Sequence, residues 1–156
     1  MGLKEQIRQD MQKAAKERDS LALSALRMAI AAIQNREIDA VTRKEIAHGA
    51  ALPDDALLKV LATMVKQRRE SIELFLQGNR PELAERENSE IAVLERYLPK
   101  PLSPREIEAL VRESIAETGA KGPSDVGRLM KAVMPKTAGR ADGKAVSETV
   151  RRLLAG

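Results

Sequence analysis

The residues best suited to chemistry in this 156-residue chain are cations. Residues 119–156 hold eight Lys/Arg against three Asp/Glu, whereas residues 1–100 hold 17 against 16. The formal net charge of +4 is mild, so its segregation is the informative feature, and the C-terminal quarter offers a surface for a polyanion. Arg128 and Lys131 fall one helical turn apart, off the apolar stripe of their segment. Further on, Gly139 and Gly143 bracket Arg140-Ala141-Asp142 in a tight turn. Asp142 is placed to accept backbone N–H groups at the start of the last helix, and Arg140 is expected to point outward between Lys136 and Lys144. Arg128, Lys131, Lys136, Arg140 and Lys144 are therefore the candidate phosphate-contacting set, with Gly139, Asp142 and Gly143 shaping the corner.

Other chemistries find little support. The chain has no cysteine, which removes disulfides, thiolate metal sites and thiol nucleophiles. His48 is the lone histidine and sits beside Gly49 with no second ligand to share a metal. No phosphate-loop or dinucleotide fingerprint occurs, and the serines (Ser20, Ser24, Ser71, Ser89, Ser103, Ser114, Ser124, Ser147) read as caps or helix-surface positions. No catalytic residue, metal or cofactor is expected. With one Tyr, one Phe and no Trp there is no stacking platform for unpaired bases, so a nucleic acid would be held through folded shape and phosphates. No DNA specificity is expected.

The elements that must position these side chains are helices throughout. Leu3, Ile7, Met11, Ala14 and Ala15 repeat at helical spacing, and Asp19 or Ser20 can cap a second helix carrying Leu23, Leu26, Ile30 and Ile33. Residues 41–52 read as a loop. A third helix spans about 54–77, stopped by Gly78, and Pro81 starts a fourth. Asp10, Arg27, Arg68, Glu87 and Glu90 fall on inward stripes and should pair if buried; a polar ligand pocket is the sharper alternative. Leu98-Pro99-Lys100-Pro101 forbids continuous helix. Ser103-Pro104-Arg105-Glu106 then reads as a capping box, and Gly119 ends that helix. Ser124 is expected to cap the next helix, Pro135 to end it, and Asp142 to cap the last. The expectation is an all-α protein: an N-terminal four-helix domain over 1–98, a proline hinge, and a three-helix C-terminal tail domain over 102–156. No apolar segment approaches a membrane span or a secretory leader, so a soluble, cytoplasmic protein with no membrane partner is expected.

The run Leu129-Met130-Lys131-Ala132-Val133-Met134-Pro135-Lys136, followed by Gly139-Arg140-Ala141-Asp142-Gly143-Lys144, resembles the tail motif of YqeY proteins. The same motif closes the B subunit of the tRNA-dependent amidotransferase. Leu3-Lys4-Glu5-Gln6-Ile7, Arg68-Arg69-Glu70-Ser71-Ile72-Glu73 and Tyr97-Leu98-Pro99 are also similar to YqeY, so the likeness covers nearly the whole chain. Pro53 departs from it, standing where the family commonly places a threonine cap. The resemblance implies a helical bundle plus a small three-helix tail that helps hold a tRNA body. It implies a tRNA-associating accessory protein linked to glutamine-dependent amidation of aminoacyl-tRNA, with an amidotransferase or aminoacyl-tRNA synthetase as further partner. Two alternatives stay open: a carbon–nitrogen ligase using glutamine as amide donor, and a protein–protein adaptor without RNA.

Overall fold

A computed structural model describes residues 2–137 and 140–155. Among them are seven α-helices and no strand: α1 Leu3–Lys16, α2 Ser20–Thr42, α3 Asp54–Gln77, α4 Pro81–Glu95, α5 Pro104–Thr118, α6 Val126–Thr137 and α7 Gly143–Ala155, with one 3-10 turn at Pro123–Asp125. The all-α reading holds. Two compact units form, Met1–Leu98 and Pro99–Gly156, and each has its own core.

In the first unit, Ile7, Ala25, Ala29, Ile33, Leu61 and Leu94 are fully enclosed and come from all four helices. Alanines on α2 let its neighbours approach closely. Asp19 accepts the Ala22 amide at 3.1 Å and caps α2. Asp54, the first residue of α3, accepts the amide of Leu3, the first residue of α1, at 3.2 and 3.3 Å. A carboxylate on one helix thus satisfies an orphan donor at the start of another. Three helix ends close with the same paired bonds. Asp19 N–H donates to Ala14 O, Glu45 N–H to Ala40 O and Arg80 N–H to Phe75 O, at 2.9, 2.8 and 2.7 Å. The closing residues are Arg18, Lys44 and Asn79, all at positive φ. Helix α3 ends at Gln77 with Gly78 as its C-cap, as expected; Gly78 stays at φ −82°, and the following Asn79 takes the left-handed position. Helix α2 also runs two residues into the expected 41–52 loop before Lys44 turns it.

Arg68, 8% exposed, lies between α3 and α4. Its Nη1 donates to Glu87 at 3.0 Å and to Glu90, and its Nη2 to Met28 Sδ at 3.3 Å. The set is an internal ion-pair cluster. Two concavities of the unit, of about 170 and 600 Å³, are lined by other side chains, so neither supports the ligand-pocket alternative. Arg27 is exposed rather than inward, because its long stem reaches solvent from the stripe's edge. Tyr97 donates its hydroxyl to Asp10 at 2.5 Å.

In the second unit, Ser103 accepts the Glu106 amide at 3.2 Å with Pro104 at the first helical position. Val111, Leu129, Val133, Val146 and Val150 are fully enclosed. Gly119, at φ 70°, ends α5 in the left-handed conformation. Two expectations fail here. Ser124 makes no side-chain cap; the chain forms a 3-10 turn, and Asp125 accepts the Lys121 amide at 2.9 Å. Pro135 does not end α6. It lies inside the helix and forfeits one N–H in the last full turn. Thr137 stays helical and donates its hydroxyl to Val133 O at 3.3 Å.

Candidate nucleic-acid interface

The corner after α6 is built from Thr137, Arg140, Ala141 and Asp142. The Arg140 and Ala141 amides both donate to Thr137 O, at 3.0 and 3.1 Å. Asp142 Oδ1 accepts the Lys144 amide at 3.3 Å, while its carbonyl accepts Val146 N–H at 3.1 Å. These bonds cover donors at the start of α7. Gly143 is the first residue of α7, and a Cβ there would meet only Met134 Cε at 4.0 Å, an ordinary contact. Gly139 lies outside the described residues.

The five candidate cations fare differently. Lys136 does not face outward. Its Nζ contacts three α5 side chains: Glu117 Oε2 at 2.8 Å, Ser114 Oγ at 3.1 Å and Glu113 Oε1 at 3.9 Å. The hydrogen bond to Glu117 holds the ammonium above its ordinary range, with both glutamates' charges adding to it. Ser114 was read as a cap or surface serine, but it is fully enclosed, because α6 packs over that face of α5. The pair joins α5 to α6. Arg140 is also less available than the expected outward pose. Half-buried, it donates through Nε to Lys100 O at 3.3 Å, and its own carbonyl accepts Leu102 N–H at 2.8 Å. It clips the segment before α5 to the corner.

Arg128 is 57% exposed and lies 3.4 Å from Asp125, whose carboxyl is held low mainly by the Lys121 amide and then by the Arg128 charge. Lys131 and Lys144 are exposed. Every ion pair of this unit among the described residues involves Arg112, Arg128, Lys136 or Arg152. Lys131 and Lys144 therefore face solvent with no carboxylate paired to them among the described residues. Glu108 is held low by Arg112 first and Arg152 second, which consumes another α7 cation. Sequence reasoning missed the α5 partners Glu113, Ser114 and Glu117. Glu113 and Ser114 lie four and three residues before Glu117, neighbours of it on the helix surface, and that spacing was the available signal.

Among curated proteins, the chain is similar to two yeast proteins called altered inheritance of mitochondria protein 41, mitochondrial. It is 36% identical over 120 residues to that of Lachancea thermotolerans and 31% over 120 residues to that of Kluyveromyces lactis. Each match covers 76% of this chain, which spans 60% and 61% of the relatives' lengths. The corresponding Saccharomyces cerevisiae protein is 26% identical over 92 residues, covering 59% of this chain and 46% of the relative. These mitochondrial names overturn the expectation of a cytoplasmic protein. Its ground, that no apolar segment approaches a membrane span or a secretory leader, does not single out that compartment. The profile of the family described as Yqey-like protein matches residues 4–154, which include the corner before α7 and every core residue but Leu3. The chain belongs to the YqeY family.

Proposed function

We propose that the two compact units are separate domains and that the second associates with RNA, a folded tRNA body being the ligand. The protein would serve as an accessory to glutamine-dependent amidation of aminoacyl-tRNA. The observation that carries this reading is the uncompensated charge of Lys131 and Lys144 on the outer faces of α6 and α7, with Arg128 only loosely held by Asp125. Lys136 and Arg140 support the surface from behind, one joining α5 to α6 and the other holding the segment before α5. A carbon–nitrogen ligase reading would need a nucleophile with a base. The contact of that type here, Ser114 with Lys136, is unsuited, since Glu117 keeps the lysine protonated and the serine is fully enclosed. The test is binding of bulk tRNA to the full chain between roughly 50 and 200 mM salt. Affinity should fall on a log–log line by about 0.7–0.9 per phosphate neutralised. Failure to bind at the low end, or a flat line, refutes the reading.

A further inference from the structure

Arg151 lies seven residues beyond Lys144 in α7, a rise of about 10.5 Å and a rotation within about 20° of two full turns. The two cations therefore share one edge of the helix, flanking the buried stripe of Val146, Val150 and Leu154. Both are exposed, and neither has a carboxylate within ion-pair distance among the described residues. No other helix of this unit places two such cations on one edge. On α5, Arg112 is taken by Glu108 at 2.7 Å; on α6, Arg128 is shared with Asp125; on α7 itself, Arg152 contacts Glu108 at 3.3 Å. Ser147, half-buried, stands between Lys144 and Arg151 on the same side with a hydroxyl to donate. Glu148 stands one turn from each cation, between them along the helix, exposed and without an ion pair among the described residues. The unit contains no aromatic residue, since Phe75 and Tyr97 both belong to the first.

We infer that Lys144 and Arg151 form the edge of α7 that grips the backbone of a folded RNA through its phosphates, without reading bases. This rests on the RNA-associating reading above and adds to it a residue, Arg151, and a division of labour. The α7 edge binds, while Lys136 holds α5 and α6 together. Two rigidly spaced cations with no stacking surface suit phosphates fixed in a helix better than a flexible strand, whose bases go unrewarded. Glu148 limits the affinity by repelling the same phosphates.

The experiment measures fluorescence anisotropy of labelled bulk tRNA, and separately of a poly(U) oligomer, against the full chain and its variants as a function of salt. Lys144→Ala and Arg151→Ala should each weaken tRNA binding by about three- to tenfold and lower the salt slope by about 0.7–0.9. Arg151→Gln should do the same with helicity unchanged. Glu148→Gln should tighten binding, and Lys136→Met should lower thermal stability while keeping the slope. Wild-type tRNA affinity and slope in the Lys144→Ala/Arg151→Ala double variant would overturn the inference and leave the RNA reading standing. Poly(U) bound as tightly as tRNA through the same two residues would overturn the preference for folded RNA. Absence of tRNA binding by the unaltered chain would instead overturn both.

Discussion

Arg68→Met should be among the most destabilising single changes in the first unit. Arg68 and Glu90 are 8% and 4% exposed, and the guanidinium also carries Glu87, which at 22% side-chain exposure can turn toward water. Once Arg68 is gone, Glu90 keeps only Arg86, 3.8 Å away and 66% exposed. Breaking a buried pair by removing one partner costs about 3–5 kcal/mol, because the charge left behind stays out of water. With Arg86 able to lean in, a loss of about 3 kcal/mol is expected. At about 4–8 °C per kcal/mol for a unit of this size, the midpoint should drop by roughly 15 °C. The chain's single tyrosine lies in this unit, so its fluorescence during urea unfolding isolates the relevant transition. The double variant Arg68→Met/Glu90→Leu should recover to within about 1 kcal/mol of the unaltered protein or exceed it. The existing cluster leaves Arg68 Nε without a partner, so apolar packing has little to beat. If Arg68→Met costs under about 1 kcal/mol, or if the double variant is no more stable than the single, the triad does not hold α3 to α4 as argued.

Two further outcomes follow from local geometry. Burial first, and then the hydrogen bond to Asp10, push the Tyr97 hydroxyl above its ordinary range, so its phenolate absorbance should rise only well above pH 10. Asp10→Asn should bring that midpoint down while leaving it raised, since burial remains. The unfolded chain loses this proton first, so Tyr97 adds stability below about pH 10 that disappears as pH climbs through the folded-state value. A native midpoint at the free-tyrosine value would contradict the buried pose. Separately, Lys44 sits at φ 60° where α2 ends. Lys44→Gly should stabilise the first unit by about 1 kcal/mol through relief of left-handed strain, read as a higher urea midpoint, and an unchanged midpoint would refute that account.

Periodicity made the helices legible because each needs only its own residues: Leu3 to Ala14, Leu57 to Val65 and Val146 to Leu154 announce their buried faces without reference to anything distant. The Ser103-Pro104 start and the Gly119 stop were readable for the same reason. What failed involved competition between neighbours or partners far along the chain. Ser124 looked like a cap, yet the chain forms a 3-10 turn there and the neighbouring Asp125 takes the Lys121 amide. Pro135 looked like a terminator, but a proline in the last turns sacrifices one hydrogen bond, and the Thr137 hydroxyl helps cover the end. The candidate site suffered most, because charge was counted along the sequence and acts in space. Residues 119–156 are strongly basic taken alone, while residues 99–156 hold eleven Lys/Arg against seven Asp/Glu. The added acids are Glu106, Glu108, Glu113 and Glu117, all on α5. Packing of α5 against α6 and α7 spends Glu113 and Glu117 on Lys136 and Glu108 on Arg152, converting a basic segment into two kinds of cation. Those at the helix interfaces are neutralised and structural. Those on the outer edges keep their charge, and a surface for polyanions has to be assembled from them.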